Sequence, residues 1–246
     1  MILGSRRSSE ARPCNVQCGG VQIAMRRPQR SPDSETDGAD PRRRLAPRLW
    51  QGRTDSRYGP RDSRMDGLVT RALAEVLRRR VDGATYAAIV DAAGVDGAAC
   101  VPGATYPDTV TFDLVGAAAR RLDVNEGAVL EMLGEHWVPF AIEAGYGRFL
   151  TTAGRTLRDV LLNLDRMHEK LSHIYPHLRQ PTFWCTDIGD AGLVLHYASS
   201  RPGLAPLVMG IVRGLARMHH ARVEIEHRRS RADGAPHDEF LVRLVG

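Results

Sequence analysis

Cysteine, lysine and long apolar runs are all scarce in this chain of 246 residues. No apolar run approaches the roughly 20 residues that a bilayer-spanning helix needs. The opening residues, Met1-Ile2-Leu3-Gly4-Ser5-Arg6-Arg7, lack the apolar centre of a signal peptide. Together these absences predict a cytoplasmic protein with no membrane partner. The four cysteines are Cys14 and Cys18 near the N-terminus and the isolated Cys100 and Cys185. None forms Cys-x-x-Cys or Cys-x-x-Cys-His, which argues against a zinc ribbon, a thioredoxin-like pair and a covalently attached prosthetic group. Cys185 reads as a small buried hydrophobe. Arginine outnumbers the single lysine by 33 to 1, compatible with a GC-rich bacterial coding sequence.

The formal charge of +5 is unevenly placed. Residues 1–64 hold 14 Arg against 7 Asp and Glu, whereas residues 65–246 hold 20 basic and 22 acidic side chains. The basic excess therefore belongs to an Arg-, Pro- and Ser-rich segment whose few aliphatic residues follow no helical or strand period. Such a segment buries too little apolar surface to offset the entropy of ordering, so residues 1–64 are expected to be a disordered extension. A start assigned too early is a second reading, since Met65 directly precedes the first amphipathic pattern. Arg42-Arg43-Arg44 suits an acidic surface, but a nucleic-acid module would rest on this extension alone, because the remainder is net acidic.

From residue 65 to 246 the pattern is that of one domain. Leu68, Val69, Ala72, Leu73, Val76 and Leu77 form a helical stripe. Tyr86–Ala93 is a second helix, closed by Gly94, and residues 97–107 show no period. Helices follow at 113–122, 125–133 and 137–144, broken by Gly145-Tyr146-Gly147. Thr156 and Asp159 make a capping-box start, and Leu157, Val160, Leu161, Leu164, His168 and Leu171 continue one apolar stripe as far as Pro176. A strand is expected from Ala191 to Arg201, then a helix from Leu204 to Met218 in which Gly210 and Gly214 admit something flat or another backbone. Alternation at Val223 and Ile225, a turn near Asp233-Gly234, and Phe240, Val242 and Leu244 predict a hairpin. The sum is α+β, an N-terminal helical subdomain followed by helices packed on a small antiparallel sheet.

Two features then call for a common explanation. His168 lies on a core-facing helical stripe, where a satisfied core histidine is the plain reading. Tyr197, Ser199 and Arg201 recur at period two, which in a strand puts three hydrogen-bonding side chains on one face over roughly 13 Å. The plain reading of that row is a solvated strand edge. A haem b accounts for both, because it offers an axial site for a neutral imidazole and an edge with two carboxylates for a planar cation and hydroxyls.

The same residues resemble the haem nitric oxide/oxygen-binding domains, including the sensor domain of soluble guanylate cyclase. The resemblance runs through Leu133-Gly134-Glu135-His136-Trp137, Glu143-Ala144-Gly145-Tyr146-Gly147, Asn163-Leu164-Asp165-Arg166-Met167-His168, Tyr175-Pro176, Pro181-Thr182-Phe183, and Leu195 through Leu204. It implies a haem held between the helical subdomain and the sheet, with His168 as proximal ligand and Tyr197, Ser199 and Arg201 on the propionates. It implies that Pro181 presses on the porphyrin, and that Leu207 and Ile211, with Trp137 nearby, face the gas. Oxygen-binding members carry a distal tyrosine where this chain has Leu207.

That absence favours nitric oxide, with carbon monoxide as a further gas, over dioxygen, the indole N–H of Trp137 being the alternative donor. A charge-assisted hydrogen bond to bound dioxygen would be worth roughly 1.5–3 kcal/mol. The resemblance further implies a non-enzymatic sensor in which gas binding weakens the bond to His168 and frees its helix. Since the hairpin reaches Gly246 with no output domain after it, the expected signal is in trans, to a partner such as a histidine kinase or a cyclic-di-GMP enzyme. The competing reading is an oxygen-binding or haem-dependent redox protein of the same fold. An enzyme would want distal acid-base groups, and His136 and His196 are the candidates; the first looks like helix surface and the second points away from the Tyr197 face.

Overall fold

The computed structural model describes residues 63–176 and 178–245. The expected disorder of residues 1–64 falls almost wholly outside that range, as do Cys14 and Cys18. Strand β1 (Arg64–Asp66) leads into α1 (Gly67–Arg80), whose first turn is capped by Asp66, 2.7 Å from the Leu68 amide. Helix α2 (Gly83–Ala93) starts three residues before its apolar pattern because Asp82 caps it, and it ends where Gly94 adopts φ 66°. After a short 3-10 turn, β2 (Thr105–Pro107) pairs antiparallel with β1. That two-stranded ribbon is too short to show a period, and residues 97–107 had given none.

Helix α3 (Asp108–Leu122) also starts earlier than its apolar stripe, directly after Pro107. The two helices expected at 125–133 and 137–144 are one helix, α4 (Glu126–Ala141), which runs through Pro139. Proline cannot bond the carbonyl four residues back, at Glu135. Arg217 Nη2 donates to that carbonyl instead, at 3.3 Å. A π-helical turn (Ile142–Tyr146), with Gly145 at φ 93°, redirects the chain into α5 (Gly147–Ala153).

The long stripe expected from 157 to 171 is broken in two. Helix α6 (Leu157–Leu162) has the predicted capping box of Thr156 and Asp159. It stops at Asn163, whose side-chain amide donates to the Asp159 carbonyl at 2.9 Å, and α7 (Leu164–Ile174) then begins. Asparagine offers the backbone a local alternative to helix continuation.

Next come β3 (Thr182–Gly189) and β4 (Gly192–Ala198), then α8 (Ala205–Met218), β5 (Arg222–Arg229) and β6 (Asp238–Val245). These strands make one antiparallel sheet in the order β3-β4-β6-β5. Strand β3 has no clean alternation and was not foreseen. The sheet and helices share one apolar core that includes Leu73, Leu133, Leu195, Leu215 and Phe240.

Helices α4 and α8 pack backbone against backbone. A Cβ on Gly210 would lie 2.9 Å from the Glu135 amide nitrogen, and one on Gly134 would lie 2.8 Å from that of Ile211. The close approach that Gly210 permits is thus to another backbone. Among the described residues, no helix is long and apolar enough to cross a membrane.

Candidate functional site

Helix α7, the sheet and the α4–α8 pair wall a cavity of about 250 Å³. All eight residues singled out from sequence line it: His168 from α7, Pro181 ahead of β3, Tyr197 from β4, Ser199 and Arg201 from the turn that follows, Trp137 from α4, and Leu207 and Ile211 from α8. The geometry within that set departs from expectation in two places.

The first is His168, which is half-buried rather than sunk in the core, because it borders the cavity. Its Nδ1 lies 2.9 Å from the Leu164 carbonyl oxygen, one turn back. A carbonyl only accepts, so Nδ1 carries the proton and Nε2 keeps its lone pair. Burial pushes the imidazole pKa below the ordinary histidine value, against opposing effects of the Leu164 carbonyl and Asp165. The ring is therefore neutral, with its tautomer fixed. It stacks on Phe183 at 5.3 Å and 24°. Asp165 holds that neighbour in place by accepting from the Phe183 amide at 3.0 Å.

The second departure is the row of polar residues. Strand β4 ends at Ala198, so only Tyr197 is in the strand, and the evenly spaced face of three is replaced by one strand residue and a turn. Ser199 Oγ accepts from the Arg201 amide at 3.1 Å, which curls the turn back. Pro202-Gly203, with Gly203 at φ 78°, then prevents the strand from continuing. Tyr197 is 4 % exposed, and its burial raises the phenol pKa, partly offset by Ser199 and Arg201.

Arg201 is itself buried at 8 % exposure and already has partners. Its Nε donates to Asp108 Oδ2 at 2.8 Å, Nη1 to the Arg179 carbonyl at 3.1 Å, and Nη2 to the Arg64 carbonyl. Among the described residues, one N–H on each terminal nitrogen remains. Asp108 Oδ2 also accepts from Ser63 Oγ at 2.6 Å, while Oδ1 is buried without a hydrogen-bond partner among the described residues.

Sequence reasoning missed Asp108, because it stands 93 positions from Arg201 and looks like an ordinary acidic helix start. It also assigned no role to Tyr146 and Tyr175, whose hydroxyls lie 3.3 Å apart and which both line the cavity. The residue strings that carried the resemblance contained both tyrosines, but nothing in their spacing paired them.

His136 is not helix surface: its side chain is 11 % exposed and lies 3.4 Å from Glu75 on α1, with its pKa lowered by burial. His196 does lie on the opposite face of β4 from Tyr197, as expected. Cys185 is half-buried, with its thiol pKa pushed up to about 11 by burial, so it stays protonated.

The cavity combines apolar walls, a neutral imidazole with a free lone pair, and a buried guanidinium with unused donors. That set fits a haem, which needs an axial nitrogen, an apolar enclosure and a cation at its carboxylate edge. Asp108 neutralises part of the Arg201 charge. Arg179, exposed and at the same cavity, supplies a second cation.

A family model described as haem-NO-binding matches residues 66–227. Soluble guanylate cyclase gcy-32 of Caenorhabditis elegans is 29% identical over 156 residues, which is 62% of this chain and 23% of that protein. Soluble guanylate cyclase gcy-37 of the same organism is 38% identical over 114 residues, 46% of this chain and 16% of that protein. The chain thus spans less than a quarter of these relatives' length. Among solved structures, an H-NOX protein from S. oneidensis in the Fe(II)NO ligation state superposes with a TM-score of 0.66 at 16% identity, covering 74% of this chain and 100% of that one. At that identity the likeness concerns the fold.

Proposed function

Since the chain belongs to the haem-NO-binding family, we propose that it is a haem-based nitric oxide sensor in which His168 is the protein ligand of the iron. The observation that carries this reading is the fixed tautomer of His168: Nδ1–H is committed to the Leu164 carbonyl, so Nε2 is left as a neutral donor atom beside an apolar cavity. A haem b bound there supplies the iron at which the gas is captured. Tyr197, Ser199, Arg201 and Arg179 would hold its propionates, and Pro181 would pack against it.

Selectivity would follow from the cavity side chains of α8. Leu207 and Ile211 offer no hydrogen-bond donor, so dioxygen captured there would forgo roughly 1.5–3 kcal/mol that a tyrosine would contribute. Nitric oxide does not depend on that donor. The indole N–H of Trp137 is the remaining polar group from that set, and its half-buried position between α4 and the cavity supports a packing role.

Output runs through α7. Of its 11 residues only Leu164 is buried, and its start is linked to β3 by the Asp165 to Phe183 bond. A change in the hold on His168 therefore moves a helix that has little core burial of its own, which is how a small ligand biases a two-state element. The receiver is a separate signalling protein, with a histidine kinase or a cyclic-di-GMP enzyme as the leading classes, and the chain itself performs no catalysis.

The test is the absorption spectrum of the ferrous protein with and without nitric oxide, for the natural sequence and for His168→Gly. The natural protein should show a Soret band that shifts with nitric oxide. In His168→Gly the gas-free spectrum should change and return towards the natural one on adding imidazole. An unchanged gas-free spectrum in the variant overturns the assignment.

A further inference from the structure

The sheet has a second face, away from the cavity. Across it, Trp184, His196 and Glu239 are successive register partners on β3, β4 and β6. His237, just before β6, folds over the same row. We propose that His196, His237 and Glu239 bind a divalent transition-metal ion, with zinc as the best match to their chemistry.

Distances carry this inference. His196 Nδ1 and His237 Nε2 are 3.0 Å apart, His237 Nε2 and Glu239 Oε1 3.2 Å, and His196 Nδ1 and Glu239 Oε1 3.9 Å. A triangle with those edges has a point roughly 2.0 Å from each corner, close to the usual zinc separations of about 2.0–2.2 Å for nitrogen and oxygen ligands. Two imidazoles and a carboxylate are a ligand set that zinc accepts, with a fourth position left for water. The side chains are 10 %, 20 % and 16 % exposed, so the cluster is sheltered yet reachable from solvent.

The surroundings are those of a supported site. His196 uses its other ring nitrogen, Nε2, on Thr186 Oγ1 at 2.8 Å, the kind of outer contact that orients a ligating histidine. Trp184 stacks on the His196 ring at 4.9 Å and 3°, and leans on His237 at 4.7 Å, which restricts both rings. One cation competes: Arg229 Nη1 lies 3.3 Å from Glu239 Oε1. Its side chain is 62 % exposed and can turn to solvent, so its hold on the carboxylate is weak. A bound ion would join β4, β6 and the loop before β6 on the back of the strand that carries Tyr197.

Calorimetric titration with zinc tests this on tag-free, haem-loaded full chain carrying Cys14→Ser and Cys18→Ser, which removes competing thiols. Metal analysis after dialysis gives the stoichiometry. One zinc per chain is expected. His237→Ala and Glu239→Gln should each weaken binding by at least about 100-fold, and Thr186→Val by roughly 10–100-fold. The Soret band should be unchanged in all three, which separates this site from the cavity. No uptake from micromolar zinc, or equal uptake by the natural residues and both ligand variants, overturns the proposal and leaves a hydrogen-bonded cluster.

Discussion

Glycine to alanine substitutions inside helices set two effects against each other, and the structure says which wins at each position. Alanine is favoured over glycine in a helix interior by roughly 1 kcal/mol, so propensity alone makes both Gly116→Ala and Gly210→Ala stabilising. At Gly116 in α3 a new methyl would meet only the tips of Glu126 and Arg120, at 3.2 and 3.3 Å, and these can shift. The propensity gain should survive, so Gly116→Ala is expected to stabilise by up to about 1 kcal/mol. At Gly210 the methyl would meet the α4 backbone, with the Glu135 nitrogen at 2.9 Å and the Glu131 carbonyl nearer still.

Backbone cannot swing aside, so α8 must back away from α4 along its length. Overpacking of this kind costs about 1–3 kcal/mol or more, which exceeds the propensity gain. Gly210→Ala should therefore destabilise by up to about 2 kcal/mol net. Urea unfolding followed by circular dichroism measures both variants on one scale. Because Gly210 stands between Leu207 and Ile211, the same variant should also alter the gas-bound absorption spectrum. If Gly210→Ala is as stabilising as Gly116→Ala, the tight crossing of these helices is refuted.

Three other outcomes are expected. Arg201→Met leaves Asp108, 4 % exposed, with Ser63 as its remaining described side-chain partner, so unfolding should lose about 3–5 kcal/mol. Adding Asp108→Leu should recover most of it; a double variant no more stable than the single one would argue against the pair. Leu207→Tyr should give the ferrous protein a persistent oxygen complex in air, read from its absorption bands; continued failure to hold oxygen would put selectivity elsewhere. Finally, burial lowers the His168 pKa below 6.5, so the unfolded chain binds more protons than the native one as pH falls below that value. Haem-free protein should thus lose stability on acidification through this range, and His168→Leu should lose less.

Much of the site was readable because it rests on local pattern. His168 follows Leu164 by one helical turn, so that pair is placed by secondary structure alone, whereas Arg201, expected on the strand face with Tyr197, is placed by the turn after β4. The Asp108–Arg201 ion pair and the Tyr146–Tyr175 contact were not readable, since each is created by tertiary folding between distant segments. The break at Asn163 was missed for a different reason. Apolar spacing is blind to an asparagine side chain that bonds back to a carbonyl of the helix it ends. Strand β3 was hidden because its residues after Phe183 are mostly exposed or half-buried on both faces, which erases alternation. The gap expected within α4 fell at residues 134–136, where Gly134 in fact sits inside one continuous helix against the α8 backbone.

The thin burial of α7 also bears on how the protein matures. Met167, His168 and Leu171 border a cavity, so beyond the Phe183 contact the helix has little protein packed beneath it. Whatever occupies that cavity completes the hydrophobic core, and cofactor capture becomes the last step of folding rather than an event that follows it. Binding energy should then appear locally, as slowed amide exchange in α7, while the glycine-packed α4–α8 crossing keeps the protection it already has.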